Sequence, residues 1–315
     1  MECISVFDML KVGVGPSSSH TLGPWRAAQR WILELKAKQL FNQVEKIHID
    51  LYGSLSLTGK GHATDVATLL GLCGHDPVTM DISIIDEEIL AIKEHKIIHF
   101  NKELDIPFNF ETDIKFNRKF LDFHPNGMIF RATLKNGKKC SSSFFSIGGG
   151  FVVKKTRKNA KKKQDKFDEF PFPVESANQL LAYCKAEDMS ISQLVLQNER
   201  SLRNDEQIDA GLQQIWNTML ESMYIGCHTE GILPGGLSVK RRAFEMHQRL
   251  IGEEQYDSPK SWITAIRNTE VKFRQILKWV SCFALSVNEV NASLGRVVTA
   301  PTNGSAGTVP AVMMY

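Results

Sequence analysis

The sequence predicts an α+β protein with two regions of different secondary structure. Residues before position 154 mix strand and helix patterns, whereas residues after Pro173 show helical spacing of apolar side chains, and a basic, proline-containing stretch separates the two. We therefore expect an N-terminal α/β-sandwich-like domain over residues 1–153, a linker over 154–174 and an all-helical domain over 175–315.

Length and composition narrow the class of protein. A chain of 315 residues that is 43% hydrophobic is long enough for two domains. No apolar run reaches the roughly 18 residues of a membrane-spanning helix, and the start, MECISVFDML, lacks the basic and apolar segments of a secretory signal. The six cysteines are scattered without a CxxC pair. These features predict a cytoplasmic protein with free thiols and no membrane partner.

The first region contains several strand and helix signals. Apolar and polar residues alternate over 44–55, which predicts a half-buried strand, and the segments IKFN and GMIFRATL continue the strand pattern. Asn136 and Gly137 stand between GMIFRATL and CSSSFFSIGGG, and both tolerate positive φ, so they predict a hairpin. Helices are expected over 25–38 and 65–72.

The basic run KKTRKNAKKKQDK, residues 154–166, holds eight Lys or Arg and one Asp, a local charge of +7. The whole chain has a net charge of +3, so the remainder carries about −4. No aromatic side chains interleave with the lysines to stack on bases. The run therefore predicts a solvated linker, with a nucleic-acid surface as the weaker alternative.

The second region is predicted to be helical throughout. Ser176 is a candidate helix N-cap before SANQLLAYCKAEDMSISQLVLQNERSL, and the stretches 208–226 and 262–293 repeat the helical spacing. The apolar run over 310–315 is typical of the first turn of a buried helix. We expect its apolar surface to need cover from further residues or from a partner chain.

The segment GVGPSSSHTLGP, residues 13–24, is the first candidate site. It places three serines, a histidine and a threonine between glycines, immediately before a predicted helix. Hydroxyls and backbone N–H groups at a helix start suit a carboxylate or a phosphate. A simple cap is the alternative, but capping needs one serine, so an anion site is favoured.

The segment YGSLSLTGKGHATD, residues 52–65, is the second candidate. Its loop glycines allow close approach of a ligand, and His62 stands just before a predicted helix. His62 is a candidate general base, with Asp65 or Lys60 nearby to tune it. A histidine held structurally at a helix start is the alternative, and the sequence leaves both readings open.

Three further segments carry polar or glycine-rich motifs. SIGGGF, residues 146–151, ends a strand with three glycines and is equally typical of a flexible exit to the linker. Cys227, His228 and Glu230 cluster before a Gly/Pro turn, but three residues in one loop do not make a metal site. In PTNGSAG, Asn303 and Ser305 open a new helix and are suited to a carboxylate. Two such loops in different domains predict a substrate held between them.

Taken together, the segments resemble the bacterial iron–sulfur L-serine dehydratases. SVFDMLKVGVGPSSSHTLGP resembles the opening of that family nearly residue for residue, and YGSLSLTGKGHATD, SIGGGF, TEGILPGGLSVKRRA and NEVNASLGRVVTAPTNG follow in the family's order. The resemblance covers essentially the whole chain. It implies that residues 1–153 are the smaller β domain, similar to a regulatory domain of some phosphoglycerate dehydrogenases, and that 175–315 are the start of a catalytic α domain.

The resemblance also implies a chemistry. These enzymes convert L-serine to pyruvate and ammonia with a [4Fe–4S] cluster, one iron of which acts as a Lewis acid on the departing β-hydroxyl. Pyridoxal phosphate is not implied, and the SxxNxKxR-like lysine setting of enzymes that use it is absent. A homodimer is plausible for the family, and threonine is left open as an alternative substrate.

By the same resemblance His62 abstracts the α-proton, and a set of serine-loop residues holds the substrate, with Asn303 completing the pocket from the α domain. That set is Ser17, Ser18, Ser19, His20 and Thr21. The chain departs from the family at Ala306, where the motif TNGACG has a cluster-ligating cysteine. Cys227 is a candidate replacement in a variant subgroup. A non-catalytic module that binds serine or another small carboxylate, or an inactive fragment, is the alternative function.

Overall fold

The computed structural model describes residues 4–154, 170–269 and 272–314. Within these ranges, the first part of the chain forms a five-stranded sheet with helices on one face, and the second part is mainly helical. This arrangement confirms the α+β class and the sandwich-like first region. None of the described helices is both long enough and apolar enough to cross a lipid bilayer.

The strands are β1 Val12–Val14, β2 Val44–Tyr52, β3 Ile97–Phe100, β4 Leu104–Pro107, β5 Ile114–Asn117, β6 Gly127–Leu134, β7 Lys139–Gly148, β8 Phe151–Lys154 and β9 Arg296–Val298. The helices are α1 Val6–Met9, α2 Gly23–Ala37, α3 Ser54–Leu57, α4 Thr64–Leu72, α5 Ile85–His95, α6 Phe110–Asp113, α7 Ala177–Ala186, α8 Ile191–Arg200, α9 Asp205–Cys227, α10 Ala243–Ile251, α11 Pro259–Asn268, α12 Phe273–Ala292 and α13 Thr308–Met313.

The large sheet has the strand order β5–β2–β6–β7–β8. β2 runs parallel to β5, and the other pairs are antiparallel. Because side chains alternate along a strand, Ile47, Ile49 and Leu51 of β2 all point into the core and are buried. α2 covers this face, and Trp31 stacks on Phe130 of β6 with ring centroids 5.2 Å apart. The sheet thus gives α2 and the loop before it a rigid support.

The helical region is built around α9 and α12, which pack against each other. Met223 of α9, Trp262 of α11 and Phe283 of α12 are buried in its core, and the last two rings meet edge to face at 5.8 Å. Its one strand among the described residues is β9, which pairs with β1. The predicted helical character is therefore confirmed, with the correction that β9 makes the region not all-helical.

Several local predictions are confirmed. β6 and β7 form the hairpin, where Gly137 has a φ of 78° and the side chain of Asn136 accepts a hydrogen bond from the Lys138 N–H at 3.0 Å. Ser176 caps α7, since its Oγ accepts from the Gln179 N–H at 3.3 Å. The two helices expected in the first region are α2 and α4.

Other predictions are wrong in detail. The strand expected over 44–55 ends at Tyr52, because Gly53 has a φ of 56° and the chain turns into α3. In SIGGGF, Gly148 ends β7, and Gly149 and Gly150 turn the chain into β8, so the segment is not an exit to the linker. The long helix signal after Ser176 is split into α7 and α8, because Asp188 adopts a φ of 51° and Ser190 then caps α8. Apart from Lys154, which ends β8, the basic run lies outside the described residues.

Candidate functional site

The pairing of β1 with β9 brings two loops from distant parts of the chain together. We call residues 15–22 the serine loop and residues 299–307 the asparagine loop. Val12 lies opposite Val298, and beyond β1 the Gly15 N–H donates to the Gly295 carbonyl at 2.9 Å. The two candidate anion loops of the sequence therefore belong to one site region.

The hydroxyls of the serine loop surround the start of a π-helical turn, Ser18–Leu22, that leads directly into α2. Ser17 caps this turn, because its Oγ accepts from the His20 N–H at 3.1 Å. Ser19 Oγ lies 2.9 Å from His20 Nδ1 and 3.5 Å from Ser17 Oγ. Ser18 is buried. Ser17 and Ser19 therefore present neighbouring hydroxyls at the start of a helix, as an anion site requires.

His20 connects the serine loop to the segment that follows β2. Its Nε2 lies 3.0 Å from Ser54 Oγ, while its Nδ1 lies against Ser19 Oγ. Its ring lies beside that of His62, with centroids 4.9 Å apart. Burial, followed by the proximity of His62, lowers the pKa of His20 below its usual value. A neutral His20 therefore holds both serine hydroxyls at neutral pH.

His62 sits in a tight turn, Lys60–His62, just before α4. Its Nδ1 lies 3.0 Å from the Thr58 carbonyl oxygen, which can only accept, so Nδ1 carries the proton in the neutral ring. Nε2 then has its lone pair available to accept a proton. Thr21 Oγ1 donates to the His62 carbonyl at 2.8 Å and fixes the turn to the serine loop. The arrangement gives His62 the tautomer and support that a general base needs.

The His62 ring contacts the Thr58 carbonyl through Nδ1, and tuning of His62 by Asp65 or Lys60 stays a prediction. Asp65 Oδ1 accepts from the Val66 N–H at 3.0 Å, and burial raises the pKa of the Asp65 carboxyl. Both residues line a separate cavity of about 650 Å³.

Asn303 reaches the serine loop through a second asparagine. Its Nδ2 donates to Asn291 Oδ1 at 2.8 Å, and Asn291 Nδ2 donates to the Pro16 carbonyl at 3.0 Å. At Gly15 a Cβ would lie 2.1 Å from the Asn291 carbonyl oxygen, so only glycine allows this approach. Asn303 is 3% exposed, and its Oδ1 has no partner in the described part of the chain. Ser305 is engaged within its own loop, where it donates to the Ala300 carbonyl at 2.6 Å.

The structure thus gathers most of the residues that the sequence singled out. Thr21 is 0% exposed and its hydroxyl is already bonded to His62, so it supports the site and does not open to it. The sequence did not single out Ser54 or Asn291, although both lie inside segments that it flagged. Neither residue stands in a recognisable motif, because the role of each depends on a contact with a loop that is distant in sequence. The residues brought together are Ser17, Ser19, His20, Ser54 and His62.

The described residues do not fit an iron–sulfur cluster. Cys227 and Cys282 bring their sulfur atoms to 3.9 Å, but both are buried, and burial raises the pKa of the Cys227 thiol well above its usual value. Ala306, at the position of the family's cysteine, is buried among apolar side chains. No group of three or more His, Cys, Asp or Glu within the described ranges is arranged to hold a metal. In the segment with Cys227 and Glu230, the His228 ring contacts the Tyr224 carbonyl and the Tyr256 hydroxyl.

Comparisons with known proteins cover both regions. A family model described as serine dehydratase beta chain matches residues 5–157, and one described as serine dehydratase alpha chain matches 186–315. The chain is 40% identical over 314 residues to the L-serine dehydratase of Haemophilus influenzae, 40% over 317 residues to L-serine dehydratase 1 of Escherichia coli and 38% over 314 residues to the L-serine dehydratase of Streptomyces coelicolor. Each alignment includes 99% of this chain and 66% of the relative.

Proposed function

The chain belongs to the serine dehydratase family, and on that premise we propose that it acts in the deamination of L-serine to pyruvate and ammonia. The observation that carries the proposal is that His62, with Nδ1 held by the Thr58 carbonyl, lies beside the His20 ring, which in turn contacts the Ser19 hydroxyl next to Ser17. The curated relatives are named L-serine dehydratases. The chain spans 66% of their length, so the activity of the whole enzyme is proposed and not assigned to these residues alone.

In the proposed reaction, the serine loop holds the substrate carboxylate and His62 removes the α-proton. Hydroxyl donors at a helix start suit the carboxylate, and His62 Nε2 accepts the proton from Cα. Loss of the β-hydroxyl then leaves an enamine, which tautomerises to an imine that water hydrolyses to pyruvate and ammonia. The described residues account for carboxylate binding and proton abstraction. Because they do not fit a [4Fe–4S] cluster, we derive no step through iron.

Neutral His20 acts as a positioning residue in this scheme. One of its ring nitrogens donates and the other accepts, so one of Ser19 and Ser54 donates to His20 and the other accepts from it. Either arrangement fixes the Ser19 hydroxyl beside Ser17. Asn303 completes the pocket from the helical region through Asn291.

The decisive test is the replacement of His62. The protein is supplied with the portion of the E. coli relative that it does not cover, and pyruvate formation from L-serine is measured for the wild type and for His62→Gln. We expect kcat to fall by about 10²- to 10⁴-fold, the usual contribution of a general base. His95→Gln is the matched control, because His95 also bonds a carbonyl four residues back, that of Ala91 at 3.2 Å, but is exposed elsewhere.

An equal loss in the two variants, or no pyruvate from the wild type under anaerobic conditions with iron and sulfide, would contradict the proposal. The alternative function is a serine-binding module without turnover. It predicts saturable L-serine binding by the iron-free chain, with the affinity unchanged in His62→Gln and weakened in Ser19→Ala.

A further inference from the structure

A cavity of about 650 Å³ opens beside the turn that carries His62. Its walls come from the start of α4, the end of α5 and the segment from α6 to β5, and its floor is formed by Phe110, Ile114 and Phe116. None of the residues lining it belongs to the serine loop. It is large enough for a small metabolite, and neither proton abstraction nor carboxylate binding uses it.

Three lysines converge on this cavity from separate places in the fold. Lys60 lies in the His62 turn, Lys93 lies in the last turn of α5, and Lys96 follows that helix with a φ of 54°. Over the described ranges, none of the three ammonium groups has a carboxylate within 4.0 Å. Lys93 Nζ lies 4.6 Å from the Phe110 ring centroid and Lys60 Nζ 5.9 Å from that of Phe116. The aromatic floor therefore holds two of these charges in place.

The negative charge in the walls is smaller. Asp65 is buried, with 9% of its surface exposed, and Glu111 is exposed at the rim, where solvent screens it. The three lysines are exposed as well, so the formal charges of the lining are three positive against two negative, a net charge of about +1. Three ammonium groups around one cavity favour a ligand with two negative charges over one with a single charge, because such a ligand can contact more than one of them.

We propose that this cavity binds a small organic dianion, a phosphate monoester or a dicarboxylate, at an effector site separate from the serine loop. Lys60 couples the two sites, because it belongs to the same three-residue turn as His62 and Asp65 follows three residues later. A dianion that draws Lys60 toward Lys93 moves this turn. The effect on turnover rests on the proposed function, whereas the binding itself does not.

Calorimetric titration of the full chain at constant ionic strength tests the proposal. Glycerol phosphate, succinate and acetate represent a phosphate monoester, a dicarboxylate and a monoanion. We expect one of the two dianions to bind at least tenfold more tightly than acetate. The double variant Lys93→Gln/Lys96→Gln should weaken that binding at least tenfold, while Lys135→Gln, at an exposed lysine of the β6–β7 turn, should leave it within twofold. The dianion that binds more tightly identifies the ligand class, phosphate monoester or dicarboxylate.

Three results would overturn the proposal. The first is the absence of saturable binding by either dianion, and the second is equal affinity in the double variant and the wild type. The third is a loss of affinity in Ser19→Ala as large as in the double variant, which would place the anion on the serine loop. As a second readout, the bound dianion should shift the His62 ring resonances in the wild type and not in the double variant. Thermal unfolding of each variant confirms that it is folded. Failure to form pyruvate would leave these binding results intact, so the two proposals can fail separately.

Discussion

Asn291 is the residue through which the two halves of the site contact each other. It donates to the Pro16 carbonyl and accepts from Asn303, and it is 8% exposed. Its role depends on partners 275 and 12 residues away, so no local pattern distinguishes it from the other asparagines. Ser54 is comparable, since its contact with His20 spans 34 residues. The sequence singles out the serine-loop residues as candidates because they stand in one motif, but it gives no signal for the residues that position them.

Replacing Asn291 by Ala should weaken the contact between the loops. The change leaves the Pro16 carbonyl and Asn303 Nδ2 without their partner, and an unpaired buried polar group costs about 1–3 kcal/mol. We expect the free energy of unfolding in urea to fall by about that amount. Asn268→Ala, an exposed asparagine at the end of α11, is the control and should change it by less than about 0.5 kcal/mol. An equal change in the two variants would contradict the role of Asn291.

His247 should make stability depend on pH. It is 0% exposed, and burial, followed by the proximity of His228, lowers its pKa from 6.5 to about 4. Trp262 donates to its Nε2 at 2.9 Å, which favours the neutral ring. Between pH 6.5 and about 4, His247 is protonated in the unfolded chain but stays neutral in the folded chain. The folded state therefore loses stability as the pH falls through this window, by up to about 1.4 kcal/mol per pH unit.

Urea unfolding at pH 7.0, 5.5 and 4.5 tests this prediction. His247→Gln should lose stability less steeply than the wild type as the pH falls, even if it is less stable at pH 7.0. His95→Gln removes an exposed histidine and should keep the wild-type slope. A slope in His247→Gln equal to that of the wild type would show that another group causes the acid sensitivity.

At the scale of elements, α2 depends on a close approach to α4. A Cβ at Gly71 would lie 2.4 Å from the Trp25 carbonyl oxygen and 2.8 Å from Ala28 Cβ. An alanine normally stabilises an exposed helix position by about 1 kcal/mol relative to glycine. Here the clash is with backbone, so α2, and the serine loop before it, would have to shift.

Gly71→Ala should therefore destabilise the protein, by about 1–3 kcal/mol in the free energy of unfolding, as overpacking usually does. Gly236→Ala is the matched control, because nothing lies within 4 Å of a Cβ built there and its φ is not positive. Thermal and urea unfolding of both variants provide the measurement. A stabilised Gly71→Ala would show that the two helices pack less tightly than described.

The sequence predicts elements well where a period persists over several turns or strand residues. β6 and α4 are found where expected, because their apolar pattern is long and local. The short turn before α4 and the boundary between α7 and α8 were not predicted, since Ala63 and Asp188 adopt positive φ, which their residue types do not indicate. β9 has only three residues and forms because β1 is available as a partner. The periodicity of a single sequence does not show whether a partner strand is available.

At the scale of the whole molecule, the thiols limit what the chain can assemble. Anaerobic reconstitution of the chain alone with iron and sulfide should give no [4Fe–4S] cluster, because the described residues include one close pair of thiols and no group of three metal-ligating side chains. Iron and sulfide content and the absorption spectrum are the measurements, with the E. coli relative treated in parallel. Four irons per chain, lost in Cys227→Ser, would contradict this and make Cys227 a ligand.

The β1–β9 pair also has a consequence for synthesis in the cell. Val12 pairs with Val298, which leaves the ribosome 286 residues later, an interval of roughly 15–60 s at about 5–20 residues per second. Once Lys154 has left the ribosome, the sheet domain has every strand of its five-stranded sheet, yet the serine loop still lacks its asparagine partner. Pairing of β1 with β9 therefore closes a very long loop, which is entropically costly. Slowed or interrupted translation after the sheet domain would leave that domain folded but the site incomplete. The unpaired β1 strand would then be accessible to chaperones and proteases.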